Sequence, residues 1–376
     1  MKLAAVAFGC RLAENSAQRR RVAMPCLAAG LLAVALAGCA TSPTYEVVDV
    51  RPSLETAPAG QSGDSADDPA IWVHPEIPSR SRILATNKQE GLVVYGLDGA
   101  VGQRLPVGPI NNVDLRPTPD RMGDLAVASH DGRDAISLFD IDRDSGEVVH
   151  TLDIATGKTE PYGICLGILD DRPTAGVTYK DGTLQLWTFI EAGGDLNGVL
   201  TRIASVGSQP EGCVFDETHN RLFMGEEAVG LWSLDLSDPD SDFVAVDTVD
   251  SGSGLVADVE GVSIWQGADG LGFLVASAQE ADRFVVYDRL PPHAVRGVFR
   301  MGENQEAGID AVTHTDGLDI VSDALPGYPA GLLVVQDDGN PAPEQNQNFK
   351  LIDWRAVSQS LQLGAPEVTS SEDPSS

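Results

Sequence analysis

The sequence predicts an all-β chain folded as a six-bladed β-propeller of four-stranded antiparallel sheets. Three observations lead there. No long segment carries a helical apolar period; short apolar runs alternate with Gly, Asp and Pro instead. A motif of similar grammar recurs six times: "DDPAIWV" at 67, "NNVDLRP" at 111, "EPYGICL" at 160, "QPEGCVF" at 209, "DVEGVSIW" at 258 and "HTDGLDIV" at 314. With Asp68, Asp114, Tyr162, Glu211, Glu260 and Asp316 as anchors, the spacings are 46, 48, 49, 49 and 56 residues. A unit of about 45–50 residues holds one four-stranded sheet, which buries both faces only by stacking on its neighbours.

Each unit opens with a first strand after its anchor. The second strands read "RILATNK", "DLAVASHD", "TAGVTYK", "RLFMGEE", "GFLVASAQE" and "GLLVVQDD". In five units a turn then leads to "GLVVYGL", "AISLFDI", "TLQLWTF", "VGLWSLDL" or "RFVVYDR"; in the sixth a longer polar loop leads to "NFKLIDW". The first strand of a propeller blade lines the central channel, so the anchors are expected to converge on one mouth. Five of the six are acids, and carboxylates gathered without counter-charge are costly. Oxygen donors of this kind suit Ca²⁺ or Mg²⁺, with flexible loops favouring Ca²⁺. The six His residues show no ligand-like spacing that would suggest zinc. Lys88, Lys180 and Arg133 follow the second strands of units one, three and two. Basic groups at that rim, beside an acid-held metal cluster, suit a multiply anionic ligand such as a phosphate ester.

The N-terminus reads as a targeting segment. "RRR" at 19–21 precedes the apolar run "VAMPCLAAGLLAVALAG", which ends in "LAGC" at Cys39. Residues 1–38 are read as a lipoprotein-type signal peptide, Cys39 as the site of a lipid anchor, 39–62 as a tether, 63–360 as the propeller and 361–376 as a disordered tail. Ala40 after the Cys favours the outer membrane of a bacterial envelope over inner-membrane retention. The formal net charge of −31 becomes −35 once residues 1–38 are removed. A surface so acidic argues against nucleic-acid partners and repels anionic lipid headgroups. Cys10 and Cys26 leave with the signal. The pair Cys165 and Cys213 reads as two buried thiols rather than a bridge, although export permits one.

Together "GDSADDPAIWVHP", "ATNKQEGLVVYGLDG", "NNVDL", "PEGCVFDE", "LFMGEE", "DVEGVSIW", "TDGLDIV" and "NQNFKLIDW" resemble the β-propeller phytases, from about Gly63 to Trp354 and in the same order. The resemblance implies a calcium-dependent phosphomonoesterase, a 3-phytase acting as a monomer on myo-inositol hexakisphosphate. Several Ca²⁺ ions would bind the substrate phosphates and activate a water for direct attack on phosphorus. Carried over by motif, Asp67, Asp68, Asp114, Glu211, Glu226 or Glu227, Asp258, Glu260, Asp316 and Asp337 are the metal-site candidates. Glu211, Glu260, Asp258, Lys88, Lys180 and Tyr162 are the catalytic candidates, with Lys88, Lys180, Tyr162 and Arg133 holding phosphate. Asn111, Asn112 and Asp114, in the "NN…D" motif, are assigned to a separate structural Ca²⁺ or to shaping the mouth, and Asn346, Asn348 and Asp337 to structural calcium near the closure of the ring. Three departures stand out: Gln89 where the family commonly has a second lysine, Arg133 on a shorter loop where an arginine is expected, and His314 where an acid is common. Two competing readings are a calcium-dependent lactonase or diesterase on a similar ring and a non-catalytic, lipid-tethered binding propeller. Lys88 and Lys180 argue against the first of these.

Overall fold

A computed structural model describes residues 45–192, 195–341 and 344–364. The expected signal peptide, Cys39 and all but the first four residues of the expected tail lie outside the described residues. Six antiparallel sheets of four strands form the blades of a six-bladed propeller. The first strands are Ala66–Trp72, Val113–Arg116, Pro161–Leu169, Pro210–Asp216, Val262–Gln266 and Leu318–Val321, and each packs against the first strand of the next blade. The second strands are Arg82–Asn87, Asp124–His130, Arg172–Tyr179, Arg221–Glu226, Gly272–Ala278 and Leu332–Asp337.

The core is divided as the repeat requires. Six apolar clusters each join two neighbouring blades: one packs Leu84 and Trp72 of blade one on Leu115 and Phe139 of blade two, and another packs Tyr95 of blade one on Phe349 of blade six, closing the ring. Alternation along the strands sends successive side chains to opposite faces, so every blade feeds two clusters. Each fully buried large apolar side chain contributes on the order of 1.5–3 kcal/mol. Such burial cannot be achieved by one blade alone.

Two expectations need correction here. The stretch assigned to a tether is partly woven into the fold. Leu54–Glu55 supplies the outer strand of blade six, with Leu54 opposite Leu351 and Glu55 opposite Lys350. Val47–Val50 adds a parallel fifth strand to blade five. The ring is therefore closed by an N-terminal strand on the last sheet, too short at two residues to leave a mark on the sequence repeat. The thiol reading is also wrong: Cys165 and Cys213 form a disulfide, with Cα atoms 5.5 Å apart. They lie on the first strands of blades three and four, in the cluster those blades share. Neighbouring channel strands bring equivalent positions within bridging range, although the residues are 48 apart in sequence.

Replacing both cysteines in the Cys165→Ala, Cys213→Ala double variant should cost about 2–4 kcal/mol of unfolding free energy. Urea denaturation reads this out; an unchanged midpoint would show that the bridge carries no stability.

Candidate active site

Main-chain bonding sets which positions are equivalent around the channel. The Asp68 amide donates to Thr86 Oγ1 (2.9 Å), that of Asn112 to Ser129 Oγ (3.0 Å) and that of Gly163 to Thr178 Oγ1 (2.8 Å). Register irregularities fall at the same place in blades one, three and four, after Ala66, Pro161 and Pro210. The residues just before those amides are thus Asp67, Asn111 and Tyr162, and the same place in blade four is Glu211. Glu260 and Asp316 continue the series, because a glycine follows each as Gly212 follows Glu211. The register is one residue off the expected anchor in blade one and three off in blade two. Those glycines allow the close approach of neighbouring blades: a Cβ on Gly163 would lie 2.0 Å from the Glu211 carbonyl oxygen, and one on Gly212 would lie 2.3 Å from that of Glu260.

A second series of equivalent positions follows the last residue of each second strand: Lys88, Asp131, Lys180, Glu227, Gln279 and Asp338. The preceding strand residue points to the opposite face. This alternation settles the Glu226/Glu227 doublet. Glu226 is buried in its blade, where its carboxylate accepts from Ser208 Oγ (2.6 Å) and Trp232 Nε1 (2.9 Å). Glu227 instead lies with Glu211 and Glu260, each offering a carboxylate oxygen within 4.8 Å of the others. Gln209 Nε2 donates to Glu227 Oε1 (2.6 Å) and orients it. The same alternation puts Asp337 in the interior of blade six, 3.0 Å from the buried Lys350 ammonium, which also meets Glu55 (2.6 Å) and Asp310 (2.7 Å). Asn346 and Asn348 belong to that closure region, with Asn346 Nδ2 donating to the Gly60 carbonyl and Asn348 Nδ2 to Asn340 Oδ1.

Three further assignments change. Arg133 pairs with Asp153 and donates to the Val107 carbonyl (3.0 Å). The equivalent of Lys88 in blade two is Asp131, two residues earlier, so the expected arginine contact is replaced by an acid held by Asn111 Nδ2 (3.4 Å). Asp114 is fully engaged: Oδ1 accepts from the Leu115 amide (2.6 Å) and Arg116 Nη1 (2.9 Å), and Oδ2 from the Leu166 amide (2.7 Å). It stitches blade two to blade three. Asp68 Oδ2 likewise accepts the Val113 amide (3.0 Å) and links blades one and two.

What remains is a coherent acidic centre. Asp67 is 0% exposed, and neither of its carboxylate oxygens accepts a hydrogen bond. Glu260 is buried with Oε2 also unpartnered. Burial, opposed by Lys88 and reinforced by Glu211 and Asp316, holds the Asp67 carboxyl well above the usual range. Burial and then Glu211 do the same for Glu260. Burial pushes Glu227 up to about 7 and Asp316 up to about 6. Asp258 is raised by burial, Glu280 and Glu211. Glu211 is the shared neighbour, acting electrostatically on Asp67, Tyr162, Glu227, Asp258, Glu260 and Asp316. Burial and these carboxylates push the Tyr162 hydroxyl upward, so it remains a neutral donor. Lys180 Nζ lies 4.3 Å from the centre of the Tyr162 ring. Lys88 Nζ lies 3.3–3.4 Å from Asp64, Asp67 and Asp316. Buried carboxylates with orphaned oxygens and an all-oxygen donor set fit a hard divalent cation. Sequence reasoning missed Gln209, Asp131 and Gln279, whose Nε2 donates to Asp316 Oδ1. Their signal was their place two residues before an anchor (Gln209) or directly after a second strand (Asp131 and Gln279). His314 stands exposed at the rim, 3.9 Å from Asp282.

The family model for Phytase matches residues 20–375. A 3-phytase of Bacillus subtilis (strain 168) is 34% identical over 357 residues, covering 89% of this chain and 92% of the relative. Among solved structures, the BBS1N–ARL6DN complex matches at 13% identity and TM-score 0.46, covering 79% of each chain. The nidogen/laminin complex matches at 14% and 0.46, covering 68% of this chain and 85% of the other. Both likenesses are too loose to bear on the site.

Glu226→Gln should lose about 1–3 kcal/mol of stability, because an amide NH₂ would face the donors that Glu226 now accepts from. Glu227→Gln should fold as the parent does and bind calcium at least tenfold more weakly. Equal effects of the two on a calcium isotherm would overturn the register. The raised carboxyls also fix a pH dependence. Their protons are bound more tightly in the folded state, so in chelator the stability they confer is complete below about pH 4 and lost as pH rises through about 6–7. Thermal midpoints in a chelator should fall across that window, and calcium should restore them; a flat profile in chelator would contradict the assignment.

Proposed function

The chain belongs to the phytase family, and on that premise we propose that it is a calcium-dependent 3-phytase releasing phosphate from myo-inositol hexakisphosphate. The observation that carries the reading is the juxtaposition of the Glu211, Glu227 and Glu260 oxygens with a Lys180 ammonium stacked on Tyr162. Carboxylates alone would repel a polyanion; lysine beside a cation-binding carboxylate set attracts it.

Glu211, Glu227, Glu260, Asp67 and Asp316 would hold calcium, with Asp258 at the edge of the group. Bound calcium supplies charge neutralisation at the phosphoryl oxygens and activation of water for attack on phosphorus. The chain's own residues do the rest. Lys180 receives a non-bridging phosphate oxygen, and the Tyr162 ring fixes where its ammonium sits. The Tyr162 hydroxyl, kept neutral, donates a hydrogen bond toward the carboxylate and phosphate oxygens of the mouth. Glu211, central to the carboxylate group, is the best-placed acceptor for a proton from an attacking water. No side chain needs to form a covalent phospho-intermediate. Asp131, in place of an arginine, leaves the blade-two side without a cation for substrate phosphate.

We further propose that the enzyme acts as a monomer in the bacterial cell envelope, tethered through a lipid on Cys39, with the outer membrane favoured. The apolar run ending in "LAGC" supports this placement.

Phosphate release from inositol hexakisphosphate should require calcium and stop in excess chelator. Glu211→Gln should lower kcat by about 10²-fold or more with native stability retained, following the usual size of a general-base contribution. Lys180→Ala should raise KM several-fold with a smaller change in kcat. Release that persists in chelator, or a Glu211→Gln variant with unchanged kcat, would remove the reading.

A further inference from the structure

The Lys88 ammonium is enclosed by acids on three sides, with Asp64 at 3.3 Å, Asp67 at 3.4 Å and Asp316 at 3.3 Å. Its cage is built rather than incidental. The Lys88 amide donates to the Ser65 carbonyl (2.8 Å), fixing the root of the side chain beside the first strand. Gln279 Nε2 holds Asp316 Oδ1, leaving Oδ2 for Lys88. Gln89 Nε2 donates to the carbonyls of Asp64 (3.0 Å) and Ser62 (3.4 Å), pinning the loop that presents the Asp64 carboxylate. Gln89, which the family resemblance marks as standing in for a lysine, therefore supports the cage. Asp67 and Asp316 also belong to the acidic centre around Glu211. Lys88 and a divalent ion draw on the same oxygens.

We propose that Lys88 is a built-in counter-cation that competes with divalent ions for Asp67 and Asp316, and that it turns to substrate phosphate only once those ions are seated. This rests on the calcium-phytase reading above and assigns Lys88 a coupling role within it. An ammonium supplies one positive charge and accepts no phosphate of its own while enclosed by carboxylates. When a divalent ion takes the Asp67 and Asp316 oxygens, Lys88 keeps only Asp64 of its three partners, and a phosphate ester at the mouth can replace the two it has lost. Metal loading would then raise affinity for a polyanion by two routes: the ions' own charge and the freed ammonium. By linkage, a polyanion would raise calcium affinity by the same factor. Lys180 differs in kind: it is exposed, and its ammonium rests over the Tyr162 ring.

The test uses the full chain and needs no turnover. Calcium isotherms by titration calorimetry, in chelator-stripped buffer and without any phosphate ester, compare the parent with Lys88→Gln and Lys88→Arg. Removing the competing charge should tighten calcium binding about tenfold in Lys88→Gln. Lys88→Arg should keep the parent affinity within about twofold, while the thermal midpoint in chelator drops for Gln alone. Inositol hexasulfate, a polyanion with no phosphate to release, should bind Lys88→Gln more weakly at saturating calcium. Calcium affinity in Lys88→Gln equal to or weaker than the parent's overturns the proposal, as does the same shift in the Gln and Arg variants. If Lys88→Gln fails to fold in chelator, a parent protein whose hexasulfate affinity does not change with calcium overturns it equally. Because these readouts are binding and stability, they separate failure of this coupling from failure of the phytase reading, which phosphate release by the parent and by Glu211→Gln decides.

Discussion

Mutual repulsion among buried carboxylates is the constraint on which the rest of this structure turns. Glu211, Glu227, Glu260, Asp67 and Asp316 converge where the channel opens, and burial holds several of them well above their ordinary ionisation range. An all-protein solution to that repulsion is visible elsewhere in the same molecule. In blade six the acids Glu55, Asp310 and Asp337 surround the buried Lys350 ammonium, and between blades four and five Asp216 grips Arg289. At the mouth, Lys88 neutralises only part of the charge, and both Asp67 oxygens stay without a hydrogen bond. The fold leaves there an excess of negative charge, with an all-oxygen donor set that fits a hard divalent cation.

The architecture makes that arrangement inexpensive in design terms. One position per blade, lying within a register irregularity in blades one, three and four, contributes to the site, and a second follows the end of the next strand. Substituting at these positions alters the site without disturbing the interblade cores, which rest on the alternating apolar residues. Gly163 and Gly212 let the carbonyl of the neighbouring blade approach within what any Cβ would block. Other acids near the axis, Asp68, Asp114 and Asp319, serve the ring itself by accepting amides from the next blade's first strand.

Most of the propeller was legible in the sequence because its repeat is long, regular and punctuated by turns. Glu211, Glu260, Tyr162, Lys88 and Lys180 were legible because each sits in a motif whose spacing is kept. What was not legible has physical causes. A one-residue slip between Asp67 and Asp68 leaves the motif intact while sending the side chain elsewhere. Glu226 and Glu227 differ only in which face of a strand end they occupy. Arg133 resembles a rim cation until the turn places Asp131 at the equivalent position. The disulfide depends on two strands meeting across 48 residues, and the closing strand Leu54–Glu55 is too short to announce itself.

The central claim is that divalent ions are seated among carboxylates contributed by separate blades. Anomalous diffraction from crystals grown in calcium, and again after exchange for a heavier lanthanide, tests it directly. The account predicts peaks bounded by Glu211, Glu227 and Glu260 and by Asp67 and Asp316. Well-diffracting crystals that bind the ions only at the outer surface, with these side chains placed as they are here, would contradict it.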